Sequence, residues 1–315
     1  MRETKLIESI VDNVEKVIIG KRKEIINIIK GIIGKGHILI EDVPGVGKTT
    51  LVKALAKSMN LSYSRIQFTP DLLPSDITGI SIYNQRDMQF EFKKGPIFAN
   101  IVLADEINRT SPKTQSALLE VMEEHQVSEG NNTYKLEEPF FVLATQNPIE
   151  YEGTFTLPEA QLDRFMMKVA IGHPSKESEA KILEVYREKN PLSEISAVIT
   201  IEDILFLQES VRKVKVAKAI NEYIVEIANA SRKSNYINLG ISTRAALALL
   251  RVSQATALIN GRDYVLPEDV KENAELVLGH RITLSSLARA NSYEKESIIS
   301  DIVKNVPVPK VMTND

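Results

Sequence analysis

The segment Glu41-Asp42-Val43-Pro44-Gly45-Val46-Gly47-Lys48-Thr49-Thr50 follows the apolar run His37-Ile38-Leu39-Ile40 and leads into Leu51-Val52-Lys53-Ala54-Leu55-Ala56. Strand, glycine turn and helix in that order make a phosphate-binding loop. Backbone N–H groups around Gly45, Val46 and Gly47 can face a polyphosphate, Lys48 can reach its β and γ phosphates, and Thr49 can hold magnesium. The pattern wants glycine where Asp42 stands. Aspartate is among the few other residues that tolerate positive φ, so the loop is expected to keep its shape.

A second acidic stretch, Ile101-Val102-Leu103-Ala104-Asp105-Glu106, puts Asp105 at the carboxyl end of a buried strand. There its carboxylate could bind the magnesium on Thr49, partly through water. Glu106, one position on, is suited to polarise the water that attacks a γ-phosphate. A third apolar strand, Phe140-Phe141-Val142-Leu143-Ala144, ends in Thr145-Gln146-Asn147-Pro148. Asn147 could orient that water, although asparagine before proline is also a common turn residue. In Leu162-Asp163-Arg164-Phe165, Arg164 could stabilise transition-state charge in a neighbour, and Arg244 could contact phosphate from the start of a later helix. The alternative is a surface turn with an ion pair for Arg164 and a solvated arginine for Arg244.

Holding these residues on one edge requires a parallel sheet. Apolar strands expected over 63–68, 101–104, 140–144 and 166–171 alternate with helices over 48–59 and 112–124, preceded by a helix over 21–33 that stops at Gly34. Two β-hairpins interrupt the alternation, one turning at Asn84-Gln85-Arg86-Asp87 and one at Gly130-Asn131-Asn132. Gly172-His173-Pro174 reads as a hinge. Beyond it helices are expected over 176–188, 201–211, 217–231, 243–259 and 268–278, with no convincing strand. The expected division is therefore a core over 1–172 and a helical lid over 173–315.

Composition narrows the function classes. The 315 residues carry 43% hydrophobic side chains and a net charge of −3 without like-charge blocks, which disfavours specific nucleic-acid binding. Without cysteine there is neither a disulfide framework nor a thiolate metal site, and His37, His125, His173 and His280 lack zinc-site spacing. No stretch approaches a membrane span and no secretory signal is expected, so a cytoplasmic location is.

These motifs, in order, resemble the AAA+ ATPases, and the words around them resemble the MoxR family. Those words include Val17-Ile18-Ile19-Gly20-Lys21, Asp71-Leu72-Leu73-Pro74-Ser75-Asp76-Ile77-Thr78-Gly79, Ala104-Asp105-Glu106-Ile107-Asn108-Arg109 and Ser242-Thr243-Arg244-Ala245. The resemblance implies a P-loop α/β core sandwiched by helices, with inserted hairpins and an all-α lid. It makes Asp105-Glu106 the Walker B pair, Asn147 sensor 1, Arg164 the arginine finger and Arg244 sensor 2. Ile18, Ile19 and Gly20 would sit at the adenine, and Pro44 through Thr50 at the phosphates of ATP or ADP with Mg2+. It leaves open whether Arg244 serves its own nucleotide or a neighbour's. By family likeness a homo-oligomer, expected as a hexamer, would couple ATP hydrolysis to chaperone-like remodelling or metal insertion with a von Willebrand factor A partner. The alternatives are a chelatase-like motor subunit and a nucleotide-gated scaffold with negligible turnover.

Overall fold

The computed structural model describes residues 2–43, 45–147 and 154–309. Two helices open the chain. α1 (Arg2–Glu15) buries Ile7, Ile10, Val11 and Val14, and α2 (Arg22–Ile33) buries Ile25, Ile28, Ile29 and Ile32. Spacings of three and four residues gather these side chains into one apolar stripe per helix. α2 does stop at Gly34, but Gly34 stays right-handed and the left-handed turn falls on Lys35.

β1 (Ile38–Glu41), α3 (Lys48–Ser58) and β2 (Tyr63–Gln67) follow. The short α4 (Pro74–Thr78) leads into a hairpin of β3 (Gly79–Asn84) and β4 (Gln89–Lys94). Next come β5 (Ile101–Asp105), α5 (Pro112–Glu124), a second hairpin of β6 (Gln126–Glu129) and β7 (Asn132–Lys135), then β8 (Phe141–Gln146), α6 (Glu159–Leu162) and β9 (Met167–Val169). Five strands form one sheet in the order β2-β5-β8-β1-β9, with every neighbouring pair parallel.

Helices cover both faces of this sheet, so its central strands are unbroken apolar runs. Ile101, Leu103, Phe141 and Leu143 pack with α1, α2 and α3 in one core. The alternate residues Val102, Ala104, Val142 and Ala144 pack with α5 in another. The two-residue period of the strand sorts them. Both hairpins lie where the sequence predicts them, the first from period-two alternation and the second from the fold-back at Gly130-Asn131-Asn132, and they touch: Phe92 of β4 stacks on Tyr134 of β7 with ring centroids 4.1 Å apart.

Gly172, with φ of +66°, turns the chain out of the sheet. Then come α7 (Lys176–Glu188), α8 (Pro191–Glu194), α9 (Ile201–Lys213), α10 (Lys218–Lys233), α11 (Thr243–Ile259), α12 (Pro267–Leu278), α13 (Ser286–Ala290) and α14 (Lys295–Asn305). This region is helical as expected except for one antiparallel ribbon, β10 (Ile237–Leu239) with β11 (Thr283–Leu284). Strands this short are invisible to a periodicity argument.

The lid packs tightly on the N-terminal helices. Lys30, only 2% exposed, reaches from α2 to Glu272 Oε1 (2.7 Å) and Asn273 Oδ1 (3.1 Å) on α12. Gln208 on α9 donates to the Ile32 carbonyl at 3.0 Å. The core under α1 and α2 continues into Leu207, Val211 and Val252, so one apolar core crosses the turn at Gly172. Among the described residues no helix is long and apolar enough to cross a membrane.

Candidate functional site

The loop between β1 and α3 exposes backbone. Gly45 and Gly47 hold φ of +88° and +89°, and a Cβ added to either would meet nothing within 4 Å. Gly47 is the N-cap of α3 and offers no side chain to the first-turn N–H groups, so an anion is their natural partner. Lys48 Nζ donates to the carbonyls of Asp42 (2.9 Å) and Val43 (3.2 Å) within the same loop. Thr49 and Thr50 stand in the first turn of α3, and Pro44 lies outside the described residues.

Asp42 works differently from the sequence expectation. It does not adopt a positive φ. Its buried carboxylate instead accepts hydrogen bonds from the backbone N–H of Ile171 (2.7 Å), Gly172 (2.6 Å) and Val43 (2.9 Å). Asp42 therefore ties the start of the phosphate loop to the turn that leads into the lid, which glycine could not do.

Strand register brings the acidic pair to the same edge. Gln67 pairs with Asp105, and Glu41 pairs with Gln146, so β2, β5, β8 and β1 end together. Asp105 Oδ1 accepts from Thr145 Oγ1 (2.6 Å), and Oδ2 accepts from Arg65 Nη2 (2.7 Å) and Nε (3.1 Å). Glu106 takes a left-handed backbone (φ 60°) at the start of the 3-10 turn Ile107–Arg109. Its N–H donates to Thr145 Oγ1 (2.8 Å), while its Oε2 accepts from Gln67 Nε2 (2.8 Å) and pairs with Arg109 Nε at 3.3 Å. One hydroxyl thus holds both acidic residues. Asn147, 6% exposed, follows directly on β8 between these residues and the phosphate loop.

Arg65, Gln67 and Thr145 carry no signal as isolated polar residues in the sequence. Their positions at strand ends beside Asp105 would have been the clue. Among the described residues no three His, Cys, Asp or Glu side chains gather as a metal site. One carboxylate and one hydroxyl suit Mg2+, which keeps several waters and takes phosphate oxygens.

Beside the loop is a cavity of about 290 Å³ lined by Ile18, Ile19, Val46, Pro174, Ile182 and Tyr186 among others. Apolar side chains make up most of its wall, beside Lys21, His173 and Glu179. Gly20 is set apart: it faces α7, where an added Cβ would lie 2.2 Å from Ser178 Oγ, and it lines a different, charged cavity. The α7 residues lie in an amphipathic helix that by itself reads as ordinary lid packing.

Arg164 and Arg244 lie elsewhere. They share a second cavity, about 400 Å³, that has no lining residue in common with the base-sized one. Arg164 Nη1 pairs with Glu123 Oε2 at 2.6 Å and donates to the Leu119 carbonyl at 2.8 Å, and Arg244 Nη2 pairs with Glu123 Oε1. Behind them the buried Arg281 donates to the carbonyls of Asp163 (3.2 Å), Phe165 (2.7 Å) and Met166 (3.2 Å) and pairs with Asp163 Oδ1 at 2.9 Å. Burial lowers the Arg281 pKa to about 10, offset in part by Asp163. His37, on the cavity wall, is lowered to about 4 by burial. Its Nδ1 accepts from the Val142 N–H at 2.9 Å, which leaves the proton on Nε2 for the Met122 carbonyl.

Comparison with known proteins agrees with this architecture. Residues 37–167 match the ATPase family associated with various cellular activities (AAA), and residues 229–302 match the AAA lid domain. The chain is 50% identical over 304 residues to the uncharacterized protein YeaC of Bacillus subtilis, covering 96% of this chain and 95% of that one. It is 41% identical over 318 residues to chaperone MoxR1 of Mycobacterium tuberculosis, covering 98% of this chain and 84% of the other. A crystal structure from Cytophaga hutchinsonii, itself only provisionally assigned as an ATPase, superposes with a TM-score of 0.91 at 46% identity over 98% of this chain and 96% of that one. The chain belongs to the MoxR family of AAA+ ATPases.

Proposed function

We propose that this ATPase hydrolyses Mg2+·ATP at a site shared between two copies of the chain. In this reading residues 1–172 act as the nucleotide-binding core and 173–315 as the lid. Ile18 and Ile19 hold the adenine, the backbone of Gly45 to Lys48 cradles the phosphates, and Thr49 and Asp105 bind the magnesium, Asp105 through water. Glu106 orients and polarises the attacking water with help from Asn147. Arg164 and Arg244 act on the neighbour's nucleotide. Pro44 and Thr50 complete the loop. Magnesium supplies charge neutralisation at the phosphates, and the protein's part is positioning.

The observation that carries this reading is the separation of the two arginines from the phosphate loop, in a cavity that shares no wall with the base-sized one. Both guanidinium groups converge on one surface carboxylate, Glu123. A protomer with its phosphate loop and its arginines in separate cavities needs a second copy, and copies that repeat head to tail form a ring when the rotation between them closes. We take that ring to be a hexamer in the cytoplasm.

The two hairpins are the natural output. Tyr83, Met88 and Phe90 are exposed large apolar side chains on the first, suited to gripping a protein client. The relative named chaperone MoxR1 supports a chaperone-like role; a von Willebrand factor A partner and service in metal insertion rest on the family resemblance.

Complementation tests the shared site. Glu106→Gln and Arg164→Ala should each lower turnover about 100-fold or more. Mixing the two variants should restore part of it, because some interfaces then combine an intact Glu106 with an intact Arg164. A mixture no more active than its components contradicts the arrangement.

A further inference from the structure

Resting on the shared-site reading above, we propose that Glu123 is a displaceable counter-ion. It gathers Arg164 and Arg244 onto one anion position at the subunit interface and yields that position to a phosphate of the neighbour's nucleotide. Glu123 is thus a positioning residue, not a catalytic one.

Three observations converge. First, the two arginines come from different parts of the chain, the turn before β9 and the first turn of α11, and meet only at the two oxygens of Glu123 near the end of α5. Second, their backbones are anchored by other groups. Arg281 grips the carbonyls of Asp163, Phe165 and Met166, and Ser242, the N-cap of α11, donates to Asp163 Oδ2 at 3.0 Å. Exchanging Glu123 for another anion therefore needs only side-chain torsions. Third, the cavity is cationic: Lys35, Arg164, Arg244, Arg251 and Arg281 line it against Glu123 and Asp163 alone. Asp163 is already committed to Arg281, which leaves Glu123 to answer the two arginines.

The exchange runs downhill for a phosphate. Glu123 is 37% exposed on its side chain, with Arg164 at 31% and Arg244 at 47%, and a carboxylate this open holds guanidinium groups weakly. A phosphate carries more charge and more acceptor oxygens in a geometry that matches two guanidinium forks. Before assembly, Glu123 keeps two like charges from repelling each other out of position. During assembly it competes with the incoming nucleotide and sets a threshold against pairing with a neighbour that carries none.

The test is sedimentation of the full chain with Mg2+·ATP in a Glu106→Gln background, which keeps the nucleotide intact. Adding Glu123→Gln should lower the protein concentration at the assembly midpoint at least about threefold. Glu123→Ser should shift it the same way, which guards against a fault peculiar to one variant. The shift should vanish when Arg164→Ala and Arg244→Ala are also present. An unchanged or raised midpoint, or a shift that survives loss of both arginines, overturns the proposal. If Arg164→Ala alone leaves assembly and, in the otherwise unaltered chain, turnover at the parent level, it is the shared-site reading that falls.

Discussion

Asp42 looks in sequence like a flaw in a glycine loop, and its carboxylate proves to be a buried acceptor for the N–H groups of Ile171 and Gly172. Asp42→Ala would leave those donors without their partner, at a cost of about 1–3 kcal/mol each when fully buried. Chemical denaturation should therefore show a loss of about 2 kcal/mol or more, and a variant as stable as the parent would contradict the assignment. His37 makes a second residue-scale prediction. Its folded-state pKa lies near 4 against 6.5 for an exposed imidazole, so the unfolded chain binds a proton there that the folded chain does not. Stability then falls as pH drops from about 6.5 towards 4 and this contribution levels off below, on the order of 3 kcal/mol in all. His280, also lowered by burial, acts in the same direction. Unfolding measured at pH 7 and pH 5 should show a smaller drop for His37→Asn than for the parent, and parallel drops would count against it.

At the scale of elements, the two hairpins are joined by the Phe92–Tyr134 stack, with planes 17° apart. Such a pair contributes about 0.5–1.5 kcal/mol beyond its buried area. Tyr134→Ala should raise hydrogen exchange across β3 and β4 several-fold while leaving basal ATP turnover near the parent value, since Tyr134 is remote from the phosphate loop in sequence and lies on an insert. Unchanged exchange would mean that the hairpins move independently. Each hairpin was legible in sequence because its signals are local: alternation about a polar turn in the first, a fold-back at Gly130-Asn131-Asn132 in the second. Their contact was not, because β4 and β7 belong to separate inserts and nothing local in either pairs Phe92 with Tyr134.

For the molecule as a whole, the proposed shared site would make activity depend on concentration. Turnover per protomer should drop on dilution below the assembly midpoint and recover on reconcentration, and a value constant over a hundredfold dilution series would contradict a shared site. The lid's grip on the arginine turn belongs to this scale as well. His280 Nε2 and Arg281 hold the carbonyl of Phe165, which ties the turn bearing Arg164 to the lid of the same chain.

Much of this protein follows from its sequence because its decisive signals are short-range. Apolar runs set the parallel strands, three- and four-residue spacing sets the helices, and Gly45, Gly47 and Lys48 between a strand and a helix define an anion-binding turn. That Asp105, Glu106 and Asn147 follow the carboxyl ends of parallel strands, on the same edge as that turn, was legible too, whereas the order of those strands came from the tertiary structure. Tertiary structure alone decided what long-range pairing controls: Arg65 and Thr145 on Asp105, Asp42 on the turn at Gly172, and the meeting of Arg164 with Arg244 on Glu123. A polar side chain carries no mark in sequence of the partner it will find. That partner is chosen by how strands register and how the lid packs on the core, contacts made between residues as far apart as Glu123 and Arg244.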